Sequence, residues 1–142
     1  MVNEIITGVS LGLNGVFGDA YEIYKDGVEQ DLKEPCFFIA ILQPQWTPQL
    51  NRRSKLIVPL DVHYFPLDGT NNGDMINKAA DILTVLEYVT LPNGDTLRGL
   101  DKSFQIIDGV LHCFVTYTVY LVKQYTPPEM ESVDSDVGVT KG

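Results

Sequence analysis

Ile5, Ile6, Val9, Leu13, Val16 and Phe17 recur at the spacing of one helical face and predict a helix over residues 3–17. Asn3 stands where an N-cap is wanted, and Glu4 suits the positive end of the helix dipole. Gly8, Gly12 and Gly15 interrupt the helix, each costing up to about 1 kcal/mol relative to alanine. The helix therefore depends on packing, and Gly8 and Gly12 mark a place where another backbone can come close. Gly18 supplies the stop.

The period then shortens. Ala20–Tyr24 reads as a strand and Lys25–Pro35 as a polar, acidic connection. Cys36–Leu42 is apolar on both faces, the pattern of a central strand covered on both sides. In a domain of this size the helices supply one cover, and a second subunit is a candidate for the other. Gln43–Leu50 contains two prolines and Trp46 and reads as a loop. Over Arg53–Phe65 a long strand sets Leu56, Val58, Leu60, Val62 and Tyr64 on one face, with Lys55, Asp61 and His63 on the other. Pro59 cannot donate to a ladder, so this strand is expected to lie at an edge or to bulge there.

After a turn at 66–72, Met75, Ile76, Ala79, Ile82, Leu83, Leu86 and Val89 give the best helical periodicity in the chain, over Asp74–Val89. Asn72 or Gly73 is placed to cap it. Pro92-Asn93-Gly94-Asp95 is a turn, and Asp95–Gly99 and Ser103–Asp108 read as short strands. Asp108-Gly109 signals a hairpin into a final strand, Val110–Val122. Leu111, Cys113, Val115, Tyr117, Val119 and Leu121 share one side of that strand. His112, Phe114, Thr116, Thr118 and Tyr120 form the other, an amphipathic aromatic face suited to a subunit interface. From Thr126 the chain is acidic with little to bury, and 126–142 reads as a mobile tail following a 1–125 domain. Two helices among long strands predict an α+β domain: a mostly antiparallel mixed sheet with both helices packed on one face.

At 142 residues the chain fits one domain with a real core, and its 44% hydrophobic and 20% charged content is that of a soluble globular protein. No apolar run reaches the ~20 residues of a membrane helix, and the N-terminus shows no secretion signal; the expected setting is cytoplasmic, with no membrane partner. Cys36 and Cys113 lie in apolar runs without a CxxC context and are expected to be buried free thiols. A net charge of −9 argues against ordinary nucleic-acid binding, which needs a basic footprint.

Candidate chemistry is sparse. Gly8-Val9-Ser10-Leu11-Gly12 imitates a nucleophile elbow but sits inside the first helix, the wrong context. Phosphate-loop signatures are absent. Asp61 and His63 share a strand face, and His112 would join them if the two long strands pair; a polar patch is preferred there over a metal site or a small metal-dependent enzyme. The expectation is of no catalytic residues, no metal and no cofactor. Arg52-Arg53-Ser54-Lys55 is the one dense basic cluster, and the Glu29/Asp31 loop of a neighbouring subunit is a candidate partner for it. Trp46, beside two prolines, is exposed or at an interface. Glu29, Gln30, Asp31, Trp46, Arg52, Arg53, Lys55, Phe114 and Tyr120 are thus the candidate interface residues.

The order of motifs carries a resemblance over residues 1–125. It runs through the helix from Ile5, Tyr21-Glu22-Ile23-Tyr24 and Val28-Glu29-Gln30 to Glu34-Pro35-Cys36-Phe37-Phe38-Ile39. It continues through Val62-His63-Tyr64-Phe65-Pro66, the Ile76–Leu86 helix and Asp108-Gly109-Val110-Leu111-His112. The chain resembles the tail terminator (tail completion) proteins of long-tailed phages and phage-tail-like bacteriocins. The resemblance implies a structural virion protein, assembled in the bacterial cytoplasm, that caps the head-proximal end of the tail tube. It further implies a homo-oligomeric ring, usually a hexamer, that ends tail polymerisation and forms the head–tail joining surface. Its partners would be the tube protein, the sheath protein in contractile tails and the head–tail connector, with DNA passing through the lumen without specific binding. A different neck, connector or tube component is the nearest alternative.

Overall fold

Helical periodicity and strand alternation are both realised in a computed structural model that describes residues 1–25 and 33–122. Helix α1 (Val2–Phe17) leads to β1 (Glu22–Lys25), β2 (Cys36–Ile41), β3 (Gln45–Pro48) and the long β4 (Arg53–Phe65). Helix α2 (Asn72–Leu86) follows, then β5 (Tyr88–Thr90), β6 (Thr96–Arg98), β7 (Leu100–Ile107) and β8 (Val110–Val122). The main sheet has the order β1-β2-β4-β8-β7, with β3 also on β4. Among the described residues only β1 and β2 pair in parallel, so the fold is the expected α+β arrangement. β5 and β6 form a separate hairpin.

One face of the sheet makes the core. Leu56, Val58, Leu60, Val62 and Tyr64 of β4 lie opposite Val119, Tyr117, Val115, Cys113 and Leu111 of β8, and all ten are buried. Ile5, Val9 and Leu13 of α1 and Met75, Ala79, Ile82 and Leu86 of α2 join the same cluster. Burial of such apolar area, at about 25 cal/mol per Å², is the main force holding α1 in place despite its glycines. The backbone of β5 passes so close to Gly8 that a Cβ there would lie 2.6 Å from the Thr90 carbonyl oxygen.

Several local expectations are corrected. Met1, not Asn3, is the N-cap residue of α1, and it makes no side-chain cap; the chain's amino group instead pairs with Glu4 at 2.9 Å. For α2 the cap is Asn71, one residue before Asn72, its side chain accepting from the Asp74 N–H at 3.0 Å. That helix ends at Leu86, and Val89 belongs to β5. The first strand lies two residues later than Ala20, and the last but one begins at Leu100 rather than Ser103.

Gln43–Leu50 is not simply a loop, because Gln45–Pro48 pairs with β4 as an edge strand. This also corrects the reading of Pro59, for β4 is neither an edge nor itself bulged. The Pro59 carbonyl accepts from the Leu42 N–H, so its missing donor points to the β2/β3 side. There the flanking chain slips register: Ile41 pairs with Leu60 but Gln45 with Ile57. A proline is tolerated in a central strand where the ladder beside it is already interrupted, as at this register slip.

Candidate functional site

The β3–β4 connection is a tight turn at Leu50–Arg53 in which both central residues, Asn51 (φ 58) and Arg52 (φ 61), have positive φ. Such turns match the twist of paired strands and fold them back sharply. The turn thrusts Leu50, 84% exposed, beyond the sheet. β8 runs antiparallel to β4 along its whole length, so its end returns to the same place. Tyr120 lies directly opposite Lys55, and Val122 opposite Arg53. Trp46 sits on β3 opposite Leu56, on the other face from Lys55 and Tyr120.

Four large apolar side chains, Trp46, Leu50, Tyr120 and Val122, are therefore exposed at one end of the sheet beside Arg52, Arg53 and Lys55. Lys55 and Tyr120 also line a groove with Leu97, Arg98 and Leu100. Trp46 stands on one face of this sheet end and Tyr120 and Val122 on the other, and Trp, Tyr and Arg are the side chains that anchor protein interfaces. Five of the nine candidate interface residues are thus brought together. Phe114 is not among them: it lies opposite Asp61 and Ser103, six residues along the strand and roughly 20 Å away at the rise of a β-strand. Glu29, Gln30 and Asp31 fall outside the described residues. Leu50 and Val122 were missed from sequence; an apolar leucine between Pro48 and Asn51, in a turn, was the available signal for the first.

On the face away from the helices, pairing of the two long strands brings Asp61, His63 and His112 together. Asp61 Oδ2 lies 2.9 Å from His63 Nε2 and 3.0 Å from His112 Nδ1. The histidine rings are 4.3 Å apart. The preferred expectation of a polar patch understates this geometry, since Asp61 is buried and the three donor atoms lie within 4.8 Å of one another.

The thiols are placed for packing. Cys36 and Cys113 are both free and buried; burial raises the Cys36 thiol to about 11 and Cys113 to about 12, the opposite of nucleophile activation. Ser10 of the elbow-like string lies within α1.

The fold defines the class first: an α+β domain of two helices on a mixed sheet, with an exposed apolar and basic end. The sequence profile of a family described as phage tail terminator protein matches residues 4–129, and the chain belongs to that family. The family is one of structural phage tail proteins, which places this chain in tail assembly among other tail components. No curated protein matches the chain. Among the described residues, no helix is long and apolar enough to cross a membrane.

Proposed function

We propose that this protein caps the head-proximal end of a phage tail tube as a ring of identical subunits, ending polymerisation and presenting the surface on which the head's connector docks. The observation that carries the reading, beside family membership, is the exposed end of the sheet with Trp46, Leu50, Tyr120, Val122, Arg52, Arg53 and Lys55. A ring closes when one patch meets a different, complementary patch around an axis. This end supplies an apolar and basic patch; the chain's net charge of −9 supplies abundant acidic surface to meet it. The same acidity keeps the lumen from holding DNA phosphates and lets a genome pass. The half-buried outer face around Phe114 serves as a second contact within the particle. No step of this role requires catalysis.

Electron microscopy of tails assembled with and without the protein tests the reading. Tails of uncontrolled length that regain a ring at one end when the chain is restored are the expected result. Normal tails of fixed length in its absence would refute it. A neck or tube component is the competing role, and binding to finished tube ends, rather than polymerisation into tube, separates the two.

A further inference from the structure

Asp61, His63 and His112 form a cluster of metal-ligating side chains beside Phe114, away from the exposed sheet end that carries the assembly role. Residues 61 and 63 share a face of β4 because side chains alternate along a strand. His112 sits directly across from His63. The Pro59 carbonyl points toward β2, so residues of the same parity on β4, His63 included, form non-hydrogen-bonded pairs with β8. Such pairs hold side chains closest, with Cα atoms about 4.5 Å apart, and the two rings stand 4.3 Å apart between centroids.

The carboxylate is unevenly satisfied. Both imidazole nitrogens approach Asp61 Oδ2, while Oδ1 is buried and has no hydrogen-bond partner among the described residues. The Asp61 side chain is 10% exposed. A buried carboxylate oxygen without a partner is costly. Hydrogen bonds from the two rings to Oδ2 leave Oδ1 as it is. A single divalent cation among the three side chains can engage both oxygens: it takes a lone pair from each ring and from the carboxylate, and Oδ1 can swing into a bidentate contact. Around a tetrahedral ion with 2.0–2.1 Å bonds, neighbouring donor atoms are about 3.3 Å apart. The two contacts to Asp61, 2.9 and 3.0 Å, need to open by a few tenths of an ångström. The two imidazole nitrogens, within 4.8 Å of one another, need to settle near the same separation of about 3.3 Å by small rotations of the rings.

We propose that Asp61, His63 and His112 form a binding site for a divalent transition-metal ion, zinc above all, with water completing the coordination. Two imidazoles and one carboxylate suit zinc and its first-row neighbours; magnesium and calcium prefer all-oxygen sets. Phe38, 5.5 Å from His63 between ring centroids, Phe65 at 6.0 Å and Phe114, stacked on His112, surround the cluster with apolar side chains. That collar limits water and strengthens the ion's hold on its ligands. The ligands stand on the two longest strands of the sheet, which pre-position them. This site does not depend on the tail-capping role.

The test uses the full chain, stripped with chelator and titrated with zinc chloride near neutral pH by calorimetry. One ion per chain is expected, with affinity falling about tenfold or more in Asp61→Asn and in His63→Gln with His112→Gln. Cobalt should give visible d–d bands of nitrogen and oxygen ligation without the thiolate charge transfer that Cys36 or Cys113 would add. The chain has only two histidines, so imidazole 15N shifts of the unaltered protein give a readout that needs no variant. Both His63 and His112 should move on adding zinc. Absence of binding, binding that the variants leave unchanged, thiolate bands, or imidazole shifts that stay put would each overturn the proposal and leave a hydrogen-bonded triad.

Discussion

The Tyr117 hydroxyl donates to the main-chain carbonyl of Leu86 at 2.7 Å, joining the middle of β8 to the last turn of α2. The last carbonyls of a helix have no partner within it, and α2 carries no basic residue in its final turn. The sheet supplies the partners. Tyr117 reaches Leu86, the Gly99 N–H donates to the Glu87 carbonyl at 2.7 Å, and Lys102 reaches both the Leu83 carbonyl and the Glu87 carboxylate.

Replacing Tyr117 with Phe keeps the ring and removes the donor. Tyr117 is fully buried, so the Leu86 carbonyl is left without it. A loss of about 1–3 kcal/mol is expected, read as a lower urea midpoint with an unchanged slope.

Gly8 and Gly15 lie in the same helix and should respond with opposite signs. A Cβ at Gly8 would stand 2.5 Å from Val89 Cγ2 and 2.6 Å from the Thr90 carbonyl oxygen, whereas one at Gly15 meets nothing within 4 Å among the described residues. Gly8→Ala should cost about 1–3 kcal/mol through forced separation of α1 and β5. Gly15→Ala should stabilise by up to about 1 kcal/mol. Thermal unfolding of the two variants checks the pair, and equal shifts would show that α1 does not pack on β5 in this way.

The exposed end of the sheet should matter for assembly and not for folding. Trp46 and Tyr120 are 60% and 64% exposed, so the double change to Ala should alter stability by no more than about 0.5 kcal/mol per site. Capping of tail tubes in a reconstituted assembly should be lost. Leu67→Ala, 77% exposed beyond the opposite end of β4, is the control that should cap normally.

Alkali should weaken the fold. Burial raises Cys36 to about 11, Cys113 to about 12 and Tyr64 to about 12, against ordinary values of 9.0 for a thiol and 10.0 for a phenol. For Tyr64 the neighbouring Tyr21 adds to burial. The folded chain keeps protons that the unfolded chain releases, so stability is whole below about pH 9 and declines as pH rises through about 9–12. The urea midpoint should fall between about pH 8 and about pH 10.5. A midpoint that stayed level would mean that these groups are open to water.

Alternation and helical period alone determined much of this protein. They placed both helices and both long strands, β4 and β8 to the residue, and assigned most of the buried face of each, because burial on one side imprints its period on the residues themselves. Val16 and Ile76 are the apolar residues of those faces that turn out exposed. The order of motifs was enough to indicate the family. Other features depended on which segments meet. Gln45–Pro48 has no strand-like pattern of its own and is extended because it pairs with the first part of β4, which β2 does not reach. The caps of α2 come from Asn71, Tyr117, Gly99 and Lys102, the last three from chain that follows it: β8, the β6–β7 link and β7. Lys55 faces Tyr120, and His63 faces His112, only through the register of β4 against β8. A residue's period reports whether its own element is buried; the partner across the sheet is chosen by long-range pairing, whose energy is shared over the whole ladder and written in no single stretch of chain.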